Sequence, residues 1–526
     1  MAWTFPRRKL KRVNPLCWMR IKGLCHQAAL LALLSGPAAA QSEKPLSVID
    51  WLDQQVAAPA VIQSDPVAQT GLTPDVTVTP LDGAATRVVG LVPSNVTGLP
   101  SDLWTSSESA ALVRQLNKMT LPRLPAAQSL LFSLVLGEVL PPSDDNGAFD
   151  LARVDTLIRM GALEPALALL EIAGPDKDAA HFERYRDLQL ISGETEQMCA
   201  LLIANPKLTS DPGLEVYCHA RSGDYDTAVL LYGTSNALGL FDTQKANALA
   251  RFLDPELFEG KPALPQPQKP DALMFALFDA EGERLATRGW PRIYAHADLN
   301  PRAGWKSQLE AAERLAETGA LPENRLLGLY TSRRPAASGG IWDRVSAIQR
   351  LDQAVRARSV TAVTKTLPPA WAAARAARIE RPIAALFAEP LQDVPVTGDV
   401  AKRVFELILV SPLYENAATA FPEIAKQYPV AHGLASGNLQ GVTGNGSLEQ
   451  SLVDAFTRTP ADIEIMRTAR GGALGTALLD TLSLLNDGAA GDMARLPVAL
   501  ATLRALGLED TARQAALQIL LLEGKQ

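Results

Sequence analysis

A chain of 526 residues with 50 Lys and Arg against 57 Asp and Glu carries a formal charge of −7, and 47% of it is hydrophobic while only 6% is aromatic. The length accommodates two or three globular domains or one extended array of repeats. The acidic balance, with no basic stripe interleaved with aromatics, excludes nucleic acid as an expected partner.

The first forty residues read as an export signal. Arg7, Arg8, Lys9, Lys11, Arg12, Arg20 and Lys22 occur there without one acidic residue, and the apolar stretch Ala28 to Leu34 follows them. That stretch is shorter than the roughly 20 apolar residues of a membrane span. Ser35-Gly36-Pro37 breaks it, and Ala38-Ala39-Ala40 offers small side chains to a signal peptidase, so cleavage between Ala40 and Gln41 is predicted. Met19 begins a segment that would be an ordinary signal by itself, and Arg7-Arg8-Lys9 is similar to a twin-arginine signal that lacks its usual Phe-Leu. Loss of residues 1–40 removes seven positive charges and takes the formal charge from −7 to −14. No cysteine follows the cleavage point directly, so no lipoprotein anchor is indicated. No later segment has the apolar length to cross a bilayer; the best, Leu130 to Leu140, is interrupted by Ser133, Gly137 and Glu138 and reads as a buried helix. A periplasmic or secreted protein without a membrane span after signal cleavage is expected.

Residues 45–56 predict a short amphipathic helix through Leu46, Ile49 and Trp51. Residues 57–100 are rich in Ala, Pro, Val and Thr, with one alternating run at Val76-Thr77-Val78-Thr79, and cannot bury enough apolar area to offset their ordering entropy. Residues 41–100 are therefore expected to be a short helix followed by an extended, partly disordered linker that packs along the body as an arm. From Leu103 onward a helical pattern dominates. Gly161, Gly193 and Gly223 each open a similar ten-residue stretch, spaced by 32 and 30 residues, and Ala166, Met198 and Ala228 stand five residues after them. A period near 34, with glycine in the turn and a small residue at the helix crossing, resembles the tetratricopeptide repeat. The resemblance covers about residues 150–240, with a further instance at Gly507 and Ala512, and implies stacked helix hairpins. A generic helix hairpin requires the same glycine and small residue and stays open as the alternative.

Of the four cysteines, Cys17 and Cys25 lie in the segment expected to be removed, leaving Cys199 and Cys218. An even pair in an oxidising compartment predicts a disulfide rather than a reactive thiol or a metal ligand. In the repeat frame Cys199 falls in the second helix of one unit and Cys218 in the first helix of the next, so the bridge would staple two units. Pro262, Pro265, Pro267 and Pro270 punctuate residues 260–271, which are expected to divide a repeat region at 101–259 from a second helical domain at 272–526. In that second part helices are predicted at Trp305 to Thr318, Ile341 to Val355, Trp371 to Arg378, Asp399 to Val410 and Gly472 to Leu485. Turns are predicted at Pro368-Pro369, Pro395 and Gly444-Asn445-Gly446. The expected fold is all-α, with helical hairpins stacked as a solenoid or superhelix.

The search for chemistry returns little. His181, His219, His296 and His432 form no HExxH or other ligand spacing, and there is no CxxC, so no metal ligand is assigned. His219, beside Cys218, reads as a surface or capping residue. There is no G-x-S-x-G elbow, no S-x-x-K, no phosphate loop and no dinucleotide fingerprint; no catalytic or cofactor-binding residue is assigned. Asp144-Asp145-Asn146-Gly147 reads as a turn capping the helix at Phe149 rather than a calcium loop, and Arg470 to Gly475 as a turn opening a helix. An exported helical superhelix resembles the scaffold of soluble lytic transglycosylases, but a Glu-Ser pair followed by a Gly-Leu-Met-Gln stretch, the mark of that family's catalytic domain, has no counterpart here. The functional expectation is a scaffold that binds another cell-envelope protein or peptide. The alternatives are a peptidoglycan- or glycan-acting enzyme with its carboxylates in residues 270–526, or a structural envelope protein.

Overall fold

Aspartate caps begin many of the helices. Asp178, Asp211, Asp242 and Asp271 each accept a backbone N–H from the first turn that follows, at 2.7–2.9 Å, satisfying donors that a helix start leaves without an intrahelical partner. In the computed structural model, residues 88–523 are described, apart from 270 and 336. The expected cleavage at Ala40 and Gln41, the helix at 45–56 and the alternation at Val76 to Thr79 lie outside the described residues.

Among the described residues there is no strand, only two isolated bridges, Val89 to Val139 and Val92 to Gly137. The fold is all-helical. The first five helices of eight or more residues are α1 (Ser109–Lys118), α2 (Pro125–Leu136), α3 (Ala148–Met160), α4 (Leu163–Ala173) and α5 (Ala179–Ser192). Next come α6 (Glu196–Ala204), α7 (Pro212–Arg221), α8 (Tyr225–Ala237), α9 (Thr243–Leu253) and α10 (Ala272–Ala280). The middle of the chain forms α11 (Trp305–Ala316), α12 (Glu323–Thr331), α13 (Ile341–Arg356), α14 (Val360–Ala376), α15 (Glu380–Gln392) and α16 (Gly398–Val410). The last six are α17 (Pro429–Ser436), α18 (Ser447–Thr457), α19 (Ile463–Arg470), α20 (Leu474–Ala489), α21 (Arg495–Ala505) and α22 (Glu509–Gln518).

The glycine frame is realised as hairpins. Gly161, Gly193 and Gly223 separate α3 from α4, α5 from α6 and α7 from α8, at φ of 85°, 82° and 85°. This left-handed backbone costs glycine nothing and strains any residue with a Cβ. Ala166, Met198 and Ala228 are fully buried at 0% exposure, as is Ala512 after the left-handed Gly507 between α21 and α22. Cys199 on α6 and Cys218 on α7 are buried and joined by a disulfide with a Cα–Cα distance of 4.9 Å.

Neighbouring helices pack in sequence, yet the packing is not confined to neighbours. Helix α2 packs on α22 and α20, and α1 packs on α20. The Gly475 amide donates to the Leu103 carbonyl at 3.2 Å, Gln115 donates to Asp480 at 2.5 Å, and the Ala126 amide donates to the Gln518 side chain at 2.9 Å. Trp104, fully buried and 5.1 Å centroid to centroid from Phe149 of α3, lies against Gly475, where an added Cβ would fall 2.1 Å from the indole. The beginning and the end of the described chain thus share one core. The described residues form one unit, and α5 packs directly on α10 across the proline-rich segment, which is a surface loop of that unit.

The described end of the expected linker lies along the body: residues 88–93 follow the turn after α2, with Leu91 and Val92 amides on the Leu136 carbonyl and Val89 and Leu99 buried. Arg153, 1% exposed, clamps this arm by donating to the carbonyls of Val135, Val89 and Gly137 at 2.8, 2.8 and 2.9 Å. Asp150 supplies its counter-charge at 3.3 Å, and burial still pushes that carboxyl up. One expectation is corrected: Pro368-Pro369 is not a turn but lies inside α14. Both prolines are exposed, so the carbonyls four residues back face water, while buried Leu367, Ala370 and Trp371 hold the register from the other side. The Asp144 to Gly147 turn caps as expected, with Asp145 accepting the Phe149 amide at 3.0 Å and Asp144 accepting the Ser109 amide at 3.0 Å.

Gly475→Ala should destabilise the protein by about 1–3 kcal/mol through overpacking against Trp104, measured by denaturant unfolding; an unchanged midpoint would show that the contact yields. The paired substitution Cys199→Ser with Cys218→Ser removes a cross-link of sequence separation 19 and should cost about 3 kcal/mol in the same measurement.

Candidate functional site

The hairpins leave a cavity of about 820 Å³ between α4, α5, α7, α9 and α10 and the segment 296–302. Its floor is aromatic. Tyr217 of α7 stacks on Phe252 of α9 with ring centroids 5.1 Å apart, and Phe275 of α10 packs edge-on against Tyr294 at 5.7 Å. Tyr217 is the residue before Cys218, so the disulfide fixes the turn of helix that presents this ring. Offset and edge-on ring pairs of this kind favour rigid placement.

The rim carries both signs of charge. Arg325 pairs with Glu164 at 3.2 Å and Arg302 with Asp279 at 3.3 Å, while exposed Glu194 and Arg221 line the same opening. His296 sits at the edge, its side chain only 5% exposed, and its Nε2–H donates to the Gly161 carbonyl at 2.6 Å. That hydrogen bond sets the tautomer and leaves Nδ1 facing Glu164 at 3.9 Å. Burial pushes the imidazole pKa below its ordinary 6.5; Glu164 and the Gly161 bond oppose the shift, and Arg325 adds to it. Gly161 is tight here as well as left-handed, since a Cβ would meet Arg292 at 2.8 Å and Leu315 at 2.9 Å. Desolvation raises the carboxyl of Glu281, at the end of α10, above its usual range.

A second cavity, of about 650 Å³, opens beside α11. Its carboxylates are held by neighbours. Glu313 accepts from Arg344 at 2.6 and 2.8 Å and from the Tyr330 hydroxyl at 2.6 Å, and Asp298 accepts from Thr287 at 2.5 Å with Arg284 at 3.8 Å. Desolvation nevertheless raises Asp298. With Arg325 on Glu164, Arg302 on Asp279 and Arg292 on Glu317 as well, five of the acids around the two cavities have a guanidinium partner, an arrangement suited to structure and to pairing with a ligand's own charges.

Of the residues singled out from sequence, Cys199 and Cys218 are brought together behind the cavity wall. His219 pairs with Asp224, the cap of α8, at 3.1 Å, which is a capping arrangement. His181 pairs with its own helix cap, Asp178, at 2.9 Å, and His432 is exposed. Among the described residues no cluster of His, Cys, Asp and Glu could hold a metal ion. Sequence reasoning did not find Tyr217, Phe252 or Phe275, whose only local signal is membership of apolar helix faces. Comparison of the chain with protein-family models, with curated proteins and with solved structures finds no match.

Because unfolding returns His296 to its ordinary 6.5, the unfolded chain binds the proton first as pH falls. The stabilisation is therefore complete above 6.5 and is lost as pH drops through the lower folded-state value. Melting curves of the wild type and His296→Gln, whose amide keeps a donor for Gly161, should diverge below pH 6.5, with the wild type losing stability more steeply. Parallel profiles would contradict the assignment.

Proposed function

We propose that this chain is an exported scaffold whose helical hairpins, similar to tetratricopeptide units, stack into a superhelix and bind a peptide segment of another cell-envelope protein in the groove floored by Tyr217, Phe252 and Phe275. The observation that carries this reading is the groove itself. Its volume lies within the roughly 300–1,000 Å³ of ligand pockets, its aromatic floor suits apolar side chains, and its two-signed rim suits a peptide's own charges. The buried disulfide is consistent with an oxidising compartment. No helix among the described residues is long and apolar enough to cross a membrane. An aromatic floor within a charged rim is the usual anatomy of a hot spot.

A photo-crosslinking side chain placed at exposed Arg221 in the native envelope should give a discrete protein adduct, and the same probe at exposed Arg356, away from the groove, should not. A peptide derived from that adduct should bind the purified protein, and Arg221→Glu should weaken it by about 1 kcal/mol or more. Equal adducts at both positions would refute the groove, and clearing of purified cell wall in a zymogram would instead favour a glycan-acting enzyme. Intact mass of the exported protein should begin at Gln41.

A further inference from the structure

A separate cavity of about 480 Å³ lies where the start of α2, the ends of α11 and α14 and the starts of α12 and α15 meet. Four arginines line it, Arg123, Arg375, Arg378 and Arg381, together with Glu317, Glu323 and Glu380. Glu317 is already committed, to Arg292 at 3.2 Å and to Arg378 at 3.4 Å. Helix ends of both polarities converge here, so their dipoles largely offset each other and the guanidinium groups determine the sign of the field. Four guanidinium groups face three carboxylates, one of which is also paired with Arg292 from outside the cavity, inside a chain whose overall charge is −7.

These arginines have donors to spare. A guanidinium carries five N–H donors in a planar fork. Among the described residues Arg381 makes no hydrogen bond or ion pair, Arg123 makes none, and Arg375 makes a single donation of 3.4 Å to the Leu522 carbonyl. Arg381 is partly buried, and its desolvation is opposed only by the more distant charge of Glu323. A cation withdrawn from water without a partner is costly, and a bound anion would offset that cost. Leu124 and Leu321 supply an apolar wall, and Ser129 adds an exposed hydroxyl.

We propose that this cavity is a binding site for a small polyanion, a compact molecule bearing two or more carboxylate or phosphate groups. Arg381 and Arg375 grip one group by forked donation and Arg123 meets a second at the mouth. Forked donation to planar or tetrahedral oxyanions is the geometry in which arginine outperforms lysine. The site shares no lining residue with the aromatic groove, so it stands or falls independently of the peptide reading.

Calorimetric titration of the full chain with citrate, with pyrophosphate and, at matched ionic strength, with acetate tests the assignment. Citrate or pyrophosphate should give saturable binding and acetate none; the tighter of the two polyanions identifies the favoured group. Arg381→Gln and Arg123→Gln should each weaken binding about tenfold or more, the loss expected for a charged hydrogen-bonding partner. Glu323→Gln, which removes a competing carboxylate, should strengthen it. Arg123 is exposed, so its variant decides the matter even where Arg381→Gln disturbs folding. Absence of saturable binding by both polyanions, binding by acetate as strong as theirs, or binding unchanged in Arg123→Gln would overturn the proposal.

Discussion

Between the Trp104 indole and the backbone of Gly475 there is no room for a single carbon atom, and that contact joins the first helices of the described chain to the last. A stack of hairpins in which each unit touches only its neighbours has two free ends, each exposing an apolar face that a polar cap must cover. Here α2 lies on α20 and α22, so the two ends cover one another. Interior polar groups follow the same logic: the free amide at the start of α2 finds Gln518, and Gln115 finds Asp480, each more than 360 positions away in sequence.

The groove depends on this arrangement indirectly. Its walls are α4, α5, α7, α9 and α10 with the segment 296–302, and the turns around them are fixed by left-handed glycines, by aspartate caps and by the bond between Cys199 and Cys218. Arg153 anchors the incoming arm by satisfying three backbone carbonyls, and its burial is tolerable because the guanidinium's donors are taken up by those oxygens and by Asp150. The arginine-lined cavity differs on this point. Its guanidinium groups are only partly engaged, which separates a group placed for the fold from one available to a ligand.

Local chemistry was readable in the chain, and distant chemistry was not. Gly161, Gly193 and Gly223 announce their turns because a left-handed backbone selects glycine, and Ala166 and Ala228 announce crossings where close helices leave little space, while buried Met198 fills the corresponding position with a long flexible side chain. The same frame fades in the C-terminal half for a visible reason: the turns between α13 and α14 and between α14 and α15 are left-handed at Arg358 and Arg378, with φ of 48° and 56°, so the glycine signal is missing although the turn is present. Pro368-Pro369 misleads for the opposite reason: both prolines face water, and buried Leu367, Ala370 and Trp371 hold the helix together through them. Nothing near Trp104 in sequence points to Gly475. The aromatic floor and the arginine cavity are likewise assembled from residues spread over several helices, which no local stretch of sequence announces.

Closure also imposes an order on biosynthesis. The partners of α1 and α2 lie 365 and 392 residues downstream, which at about 5–20 residues per second means a delay of roughly 20–80 s between the synthesis of the first helices and that of the residues that bury them. Throughout that interval the faces of α1 and α2 that later rest on α20 and α22 lack their cover, among them parts of an α2 whose Leu130, Leu131, Leu134 and Val135 end fully or nearly buried. The last segment to be made therefore controls whether the first can settle, and a ribosome that stops short of α22 leaves an otherwise complete set of hairpins with an open, adhesive edge.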